Sequence, residues 1–289
     1  MFLGVIEISL RSTRVTASDV GPDSSSRLLV REHDIDARHQ NIERLTSLLM
    51  AEVETLRDLG VARTEVIAVP ELRGTRLIRL LDRASISIGS GEIRIPSRRE
   101  SASAAFLGAT FAGEAAPADD VTVARIGESG VEIAVGTPAH VPGWFGSRPV
   151  GTAVIARKAR FSDPPGRNQV EAAFSGAARA LASLAWPAGD RALVVSSLAN
   201  EVEALCGSPA GPEQVRTGIE SLRGEPAEEI ADRFGVGPAG ARRMIPTLVL
   251  HGALAERLGR AVEPVAENPV GGRFWLAESD RPLADRRPG

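Results

Sequence analysis

The chain has 289 residues, of which 43% are hydrophobic and 25% are charged, so its composition is that of a globular protein rather than a disordered or fibrous one. Its 34 basic and 37 acidic residues leave a formal net charge of −3, which does not favour a strongly basic nucleic-acid-binding protein. The single cysteine, Cys206, excludes an intramolecular disulfide and any metal site built from several cysteines.

The N-terminal sequence MFLGVIEISL has no basic start and carries an acidic residue inside its apolar run, so it does not resemble a signal peptide. No uncharged stretch of the chain approaches the roughly 18 residues that a membrane-spanning helix needs. We therefore expect a cytoplasmic protein that makes no membrane contact.

The first part of the chain alternates between strand-like and helix-like patterns. Residues 41–59 carry aliphatic side chains at helical spacing, and Gly60 follows where such a helix would end. The stretch 112–120 is small, acidic and contains a proline, which indicates a connector between domains 1–113 and 114–289. The other elements predicted before this connector are strands at 2–10, 14–20, 28–31, 65–69 and 86–95 and helices at 76–84 and 100–111.

After the connector the strand pattern restarts and is again followed by helices. Strands followed by helices, twice over, indicate an α/β protein built from two similar halves. The elements predicted in the second half are strands at 121–126, 131–135, 192–196 and 261–265 and a helix at 170–184, with mostly helical sequence before the last strand.

Glu7 interrupts the apolar run VIEIS near the end of the first predicted strand. A carboxylate is costly to bury unless it meets a cation, a metal or backbone donors. Open α/β sheets bind their ligands at the carboxyl ends of strands, where Glu7 would lie. Glu7 is therefore a candidate ligand-binding residue, and a place on the solvated face of an edge strand is the alternative.

No Walker loop, dinucleotide-binding fingerprint, nucleophile elbow or metalloprotease helix is present in the sequence. Of the four histidines, we expect His33 to lie in a polar loop and His251 to lie in the core with its hydrogen bonds satisfied.

Residues 228–244 imitate a helix-turn-helix, with Arg242 and Arg243 on the second helix. Because an apolar stripe continues beyond Arg243, we interpret that helix as core, and DNA binding is the weakest alternative.

Six segments, taken in chain order, resemble the motifs of one protein family. The most specific match is SRPVGTAVIARKARFSDPP at residues 147–165, which is similar to SLPLGAVRLTERFLxSDPP. The other five are IEISLRSTR (6–14), AVPELR (68–73), SRRESASAAFLGA (97–109), ARIGESGVEIAVG (124–136) and VVSSLANEVEAL (194–205). The chain thereby resembles the Ppx/GppA family of exopolyphosphatases and guanosine pentaphosphate phosphohydrolases.

The resemblance implies an α/β fold of two actin-like (ribonuclease H-like) domains of the ATPase superfamily, which bind a phosphoanhydride in the cleft between them. In this family glycine loops hold phosphates through backbone donors, acidic side chains hold a divalent cation, and a glutamate activates the attacking water. The resemblance therefore implies Mg²⁺ as the cofactor of an active enzyme and a phosphorylated small molecule or polyphosphate as the partner. A homodimer is possible, whereas membrane and nucleic-acid partners are not expected.

When this sequence is compared with the family's motifs position by position, the resemblance assigns roles to seven residues. Glu100 matches a glutamate of the family's GEEEA segment and is the candidate general base. The candidate metal ligands are Glu7 and Glu132. The candidate phosphate-binding residues are Ser12, Arg14, Arg73 and Gly127.

The chain departs from the family where the family handles phosphate. Arg125 stands in place of a metal-holding aspartate, and Glu128 and Ser196 stand in place of loop glycines. A side chain at such a glycine hinders the approach of the backbone to a phosphate, and an arginine repels a metal cation. Arg125 and Arg11 could instead contact an anion directly, as arginine does with phosphate.

We therefore interpret the chain as a Ppx/GppA-like protein with degenerate phosphate loops, which binds a phosphorylated ligand or a protein partner with little or no turnover. The alternative is an active hydrolase of polyphosphate or pppGpp that uses Mg²⁺ and Glu100.

Overall fold

The structure is a computed structural model, and it describes residues 2–8, 12–20, 25–34, 42–69, 72, 78, 93–110, 120–187, 189–268 and 272–273. The chain divides into two compact units. The first comprises the N-terminal part through Ala104 together with a segment that begins at Asn268, and the second comprises Ala105–Glu267. The predicted boundary between residues 113 and 114 lies outside the described residues, so the division into domains 1–113 and 114–289 stays a prediction.

A four-stranded sheet forms the first unit. Its strands are β1 (Phe2–Ile8), β2 (Ser12–Val20), β3 (Ser25–Asp34) and β4 (Arg63–Ala68). The order across the sheet is β3-β2-β1-β4, with β1 antiparallel to β2 and parallel to β4. The carboxyl ends of β1 and β4 therefore lie at the same edge of the sheet.

Helix α1 (Ile42–Asp58) covers one face of this sheet. Leu45, Leu49 and Leu56 recur at helical spacing and are buried together with Ile6 of β1. Gly60 has a φ of +76°, a left-handed conformation that favours glycine, and it follows the helix end as predicted. A second helix, α2 (Arg98–Thr110), runs across the division between the two units.

Strand β3 is longer than predicted and includes His33, so the polar loop expected at this position is wrong. The ring Nε2 of His33 lies 2.8 Å from Oε1 of Glu52 on α1. Arg31, on the same strand, has Nη1 at 3.6 Å from Oε2 of Glu52. Because Glu52 is only 4% exposed, these two partners compensate a buried carboxylate and hold α1 against the edge strand.

A five-stranded sheet forms the second unit. Its strands are β5 (Val121–Ile126), β6 (Val131–Gly136), β7 (Trp144–Arg148), β8 (Arg191–Ser196) and β9 (Glu263–Ala266). The order is β7-β6-β5-β8-β9, in which β5, β8 and β9 are parallel. The strands predicted in this half agree with these bounds to within two residues.

Six helices of the described residues belong to this unit, and the longest of them lies at the centre of the helical layer. They are α3 (Thr152–Lys158), α4 (Arg167–Ala182), α5 (Ala199–Cys206), α6 (Pro212–Leu222), α7 (Ala227–Phe234) and α8 (Pro238–Leu258). Helix α8 is buried continuously from Met244 to Ala255, because α4, α6 and α7 pack against it. None of the helices in the described part of the chain is long and apolar enough to cross a membrane.

The SDPP segment, the most specific sequence match, has a structural role in this helical layer. Asp163 accepts a hydrogen bond of 2.8 Å through Oδ1 from the backbone N–H of Ala227, at the start of α7. Gln169 of α4 accepts hydrogen bonds from Ser162 Oγ at 2.9 Å and from the backbone N–H of Gly166 at 2.8 Å. The segment therefore holds the starts of α4 and α7 in place.

Candidate functional site

Glu7 and Arg14 lie in one row of the first sheet. Glu7 is near the carboxyl end of β1, and Arg14 of β2 is directly opposite it. On its other side Arg14 faces Glu32 of β3, and Arg14 Nη2 lies 3.7 Å from Glu32 Oε2. The arginine is thus placed between two acidic residues, so a phosphate at Arg14 would compete with Glu32.

Two other predicted phosphate-binding residues fall outside what the structure describes. Ser12 is the first residue of β2, but its side chain is not among the described ones, and Arg73 lies outside the described residues altogether. Their roles stay predictions.

Glu100 lies in the first turn of α2 and forms a reciprocal capping box with Ser97. The backbone N–H of Ser97 donates to Glu100 Oε2 at 2.7 Å, and the backbone N–H of Glu100 donates to Ser97 Oγ at 3.2 Å. Arg94 donates through Nη2 to the other carboxylate oxygen, Oε1, at 2.6 Å. Both oxygens of the candidate base therefore bind donors within the first unit.

These contacts lower the pKa of Glu100 to about 2, with the backbone N–H of Ser97 as the largest cause and the Arg94 guanidinium as a further one. A general base works best when its pKa lies near the operating pH. A carboxylate with so low a pKa takes a proton from water poorly at neutral pH. The assignment of Glu100 as the base stays a prediction, but this environment does not favour it.

Replacing Arg94 by alanine should raise the pKa of Glu100 from about 2 toward its ordinary value of 4.5, because the carboxylate loses a charged donor. The carboxyl ¹³C shift of Glu100 during an acid titration measures this. Since the pKa is lowered on folding, the carboxylate stabilises the fold above about pH 4.5 and loses this effect as the pH falls toward 2. In Arg94→Ala the pKa of Glu100 lies closer to 4.5, so this loss of stability should extend over a narrower pH range.

Arg99→Ala provides the control, since it removes an exposed arginine of the same helical turn. The Glu100 titration should be unchanged in this variant. Equal shifts in Arg99→Ala and Arg94→Ala would contradict the specific role of Arg94.

The sequence resemblance aligns the turn between β5 and β6 with the family's second phosphate loop. It is closed by a hydrogen bond of 2.9 Å from the N–H of Gly127 to the carbonyl of Gly130. The carbonyls of Gly127 and Glu128 accept hydrogen bonds of 3.0 Å from the N–H groups of Thr152 and Ala153. The first donors of α3 are therefore bound by the loop itself.

Gly151 allows this close approach of helix and loop. A Cβ atom at Gly151 would lie 2.4 Å from the carbonyl carbon and oxygen of Glu128 and from the carbonyl oxygen of Gly127. At Gly127, a Cβ atom would lie 3.6 Å from Nη1 of Arg125. The space beside this predicted phosphate-binding glycine is thus bordered by an arginine of the same unit.

Arg125, Glu132 and Glu267 form a largely buried group of ions, which we call the Arg125 cluster. Arg125 Nε lies 2.7 Å from Glu267 Oε1, and Arg125 Nη1 lies 3.1 Å from Glu132 Oε2. The three side chains are 17%, 12% and 6% exposed, in the order Arg125, Glu267, Glu132. An anion that contacted Arg125 directly, the alternative raised from the sequence, would therefore compete with these two carboxylates.

The described side chains do not fit a divalent cation at this loop. Glu132, a predicted metal ligand, binds a guanidinium, whose charge would repel Mg²⁺. Across the described ranges, no group of three or more His, Cys, Asp or Glu residues is arranged to hold a metal ion. Metal binding by Glu7 and Glu132 stays a prediction that this donor set does not support.

Glu128, which stands in place of a loop glycine, has its own counter-ion. Its Oε1 lies 3.6 Å from Nη1 of Arg243 on α8, and the two side chains are 10% and 15% exposed. The negative charge that this substitution adds to the loop is therefore compensated within the second unit.

Ser196 ends β8, at the position that the sequence resemblance aligns with the start of the family's third loop. Its carbonyl accepts a hydrogen bond of 3.2 Å from the N–H of Glu267. The hydroxyl is buried, and no described residue provides it with a hydrogen-bond partner. The side chain that stands in place of a glycine thus points into the protein interior.

The helix-turn-helix pattern at residues 228–244 corresponds to α7, the turn at Gly235 with a φ of +64°, and the start of α8. Arg242 is exposed, but Met244 and the eleven residues after it are buried. A recognition helix needs an exposed face for the major groove. The interpretation of α8 as a core helix agrees with this burial.

At the sequence level, no protein-family model and no curated protein matches the chain. Among solved structures, it is similar to a Ppx/GppA family member from Aquifex aeolicus, with 18% identity and a TM-score of 0.75 over 98% of this chain and 99% of that one. An exopolyphosphatase from Cytophaga hutchinsonii ATCC 33406 matches with 14% identity and a TM-score of 0.72 over 96% of this chain and 97% of that one.

An exopolyphosphatase-like protein matches equally broadly, with 14% identity and a TM-score of 0.76 over 96% of this chain and 97% of that one. A likeness of this extent establishes the fold, whereas function depends on the site residues. The predicted α/β fold with two sheet-based halves is confirmed. The chain has the fold of the Ppx/GppA phosphatases.

Proposed function

We propose that this chain is a Ppx/GppA-like protein that binds a phosphorylated ligand or a protein partner with little or no turnover. The observation that carries the proposal is the Arg125 cluster. Arg125 stands where the family has a metal-holding acid, and it binds Glu132, the residue that would be a metal ligand. Hydrolysis of a phosphoanhydride depends on positioning and on neutralisation of the developing charge, so a loop without its cation has little catalytic power.

The environment of Glu100 supports the same proposal. Its carboxylate caps α2 and binds Arg94, and its pKa of about 2 is poorly matched to proton abstraction from water. The predicted metal ligand Glu132 and the predicted base Glu100 are thus both bound by other groups of this chain: Glu132 by Arg125, and Glu100 by Ser97 and Arg94.

The ligand is the less constrained part of the proposal. Among the described contacts, Arg125 binds two carboxylates, so an anion at Arg125 would compete with Glu132 and Glu267 for its donors. We therefore expect weak binding of a phosphorylated small molecule or polyphosphate, and a protein partner is the outcome if such binding is absent. The cytoplasmic location and a homodimeric assembly stay predictions.

A phosphate-release assay with polyphosphate and pppGpp in the presence of Mg²⁺ tests the proposal. We expect the wild-type chain to release no more phosphate than a protein-free control. Glu100→Gln is the matched variant, because glutamine can maintain the capping box and so the fold. Release that saturates with substrate and disappears in Glu100→Gln would overturn the proposal and establish an active hydrolase.

Thermal unfolding with tripolyphosphate separates the two kinds of partner. A ligand that binds only the folded chain raises the midpoint of unfolding as its concentration increases. A saturable rise without phosphate release supports the phosphorylated ligand, and no rise argues against a polyphosphate ligand.

A further inference from the structure

The cation of the Arg125 cluster is part of the protein. The guanidinium donates from two different nitrogens to two different carboxylates, with Nε on Glu267 and Nη1 on Glu132. Glu132 comes from the neighbouring strand β6, directly opposite Arg125. Glu267, which follows β9, is 142 positions further along the chain. Strand β5, its neighbour β6 and the segment that follows β9 therefore meet at the Arg125 guanidinium.

Two carboxylates with so little exposure cannot remain together without compensation. Each loses the solvation that water would provide, and their like charges repel. A divalent metal compensates such a pair by binding both oxygens, and a guanidinium does so through its planar set of donors. In this chain the Arg125 guanidinium binds both carboxylates, Glu267 at 2.7 Å and Glu132 at 3.1 Å.

We infer that the Arg125 guanidinium stands in place of a divalent cation at this loop, so that the folded chain neither requires nor binds Mg²⁺ there. The inference goes beyond the proposed function. It concerns which group compensates the negative charges of Glu132 and Glu267. Metal binding can be measured whether or not the chain turns over a substrate.

A second ion pair on the same sheet is more exposed and has a single carboxylate, so it serves as a control. Arg191 of β8 binds Glu263 of β9 at 2.6 Å, but the two side chains are 39% and 34% exposed. Water can solvate Glu263 when Arg191 is removed, so no metal should be attracted. The pair matches the Arg125 cluster in chemistry and differs from it in burial and in the second carboxylate.

Calorimetric and thermal titrations with Mg²⁺ and Mn²⁺, at constant ionic strength, test the inference. The wild-type chain should give no saturable heat and no stabilisation up to about 10 mM metal. Arg125→Gln should unfold at a lower temperature without metal and regain about 4 °C with it, because the two carboxylates then accept a cation. Arg191→Gln and the double variant Arg125→Gln/Glu132→Gln should show no such response.

Saturable metal binding by the wild-type chain would overturn the inference. So would a metal response of Arg125→Gln no larger than that of Arg191→Gln. If Arg125→Gln does not fold, the wild-type titration and Arg125→Lys decide the question, since lysine keeps the positive charge and should remain insensitive to metal. A metal response of a folded Arg125→Lys chain would contradict the inference.

Discussion

Replacing Gly151 by alanine should lower the free energy of unfolding of the second unit by about 3 kcal/mol, because the added Cβ atom meets backbone and not a movable side chain. It would lie 2.4 Å from the carbonyl carbon and oxygen of Glu128 and from the carbonyl oxygen of Gly127. Either the loop or the start of α3 must move. The hydrogen bonds from the N–H groups of Thr152 and Ala153 would then be strained or lost.

Urea unfolding of Gly151→Ala beside Gly143→Ala measures the effect. Nothing lies within 4 Å of a Cβ atom at Gly143, and its φ is not positive, so this control should stay within about 0.5 kcal/mol of the wild-type chain. Equal stability of the two variants would show that the loop does not approach α3 as closely as described.

The second large effect concerns His251, which is fully buried in α8. Burial lowers its pKa to about 3, so the ring stays neutral in the folded chain, whereas the unfolded chain takes up a proton below about pH 6.5. Stability should therefore fall with acidification from about pH 6.5 toward pH 3, by about 1.4 kcal/mol per pH unit. His251→Leu should remove this contribution. Between pH 7 and pH 5, the free energy of unfolding of the wild-type chain should therefore fall by about 2 kcal/mol more than that of His251→Leu.

Urea unfolding at several pH values between about 7 and 5 measures this difference. His251→Gln is the control, because it abolishes the titration and keeps a buried polar side chain. Both variants should show the flatter pH dependence. A wild-type profile as flat as that of the variants would contradict the buried, neutral state of His251.

The same residue shows how far the sequence could predict the core. The apolar run around His251 indicated burial, and burial is observed. The expectation that its hydrogen bonds are satisfied is wrong for the described part of the chain, which offers no partner to either ring nitrogen. Hydrophobic periodicity reports which face of a helix is buried, but not which polar groups from other elements meet that face.

Strand and helix patterns were the most predictable level of the fold. Local signals such as the Leu45, Leu49 and Leu56 spacing and the glycine at position 60 act within one element, so they can be read without tertiary context. His33 was mispredicted because polar side chains on an edge strand follow a loop-like pattern. Its partner, Glu52, belongs to a helix that the strand only contacts after folding.

The sequence could single out candidate site residues but not their contacts, and their roles stay predictions. Arg125, Glu128 and Glu100 could be picked out as departures from or matches to the family's motifs. Their counter-ions could not, because Glu267 is 142 residues from Arg125 and Arg243 lies on a helix interpreted only as core. Two partners lie close in sequence: Arg94 is six residues before Glu100, and Glu132 is seven residues after Arg125 on the next strand.

A crystal structure determined in the presence of Mg²⁺ and a short polyphosphate chain would show whether the Arg125 side chain or a metal ion binds the carboxylates beside the turn between β5 and β6. We predict that Arg125 keeps Glu132 and Glu267 as partners and that no metal ion lies between these carboxylates. A metal ion bound by Glu132 or Glu267, with the Arg125 side chain turned away, would contradict it.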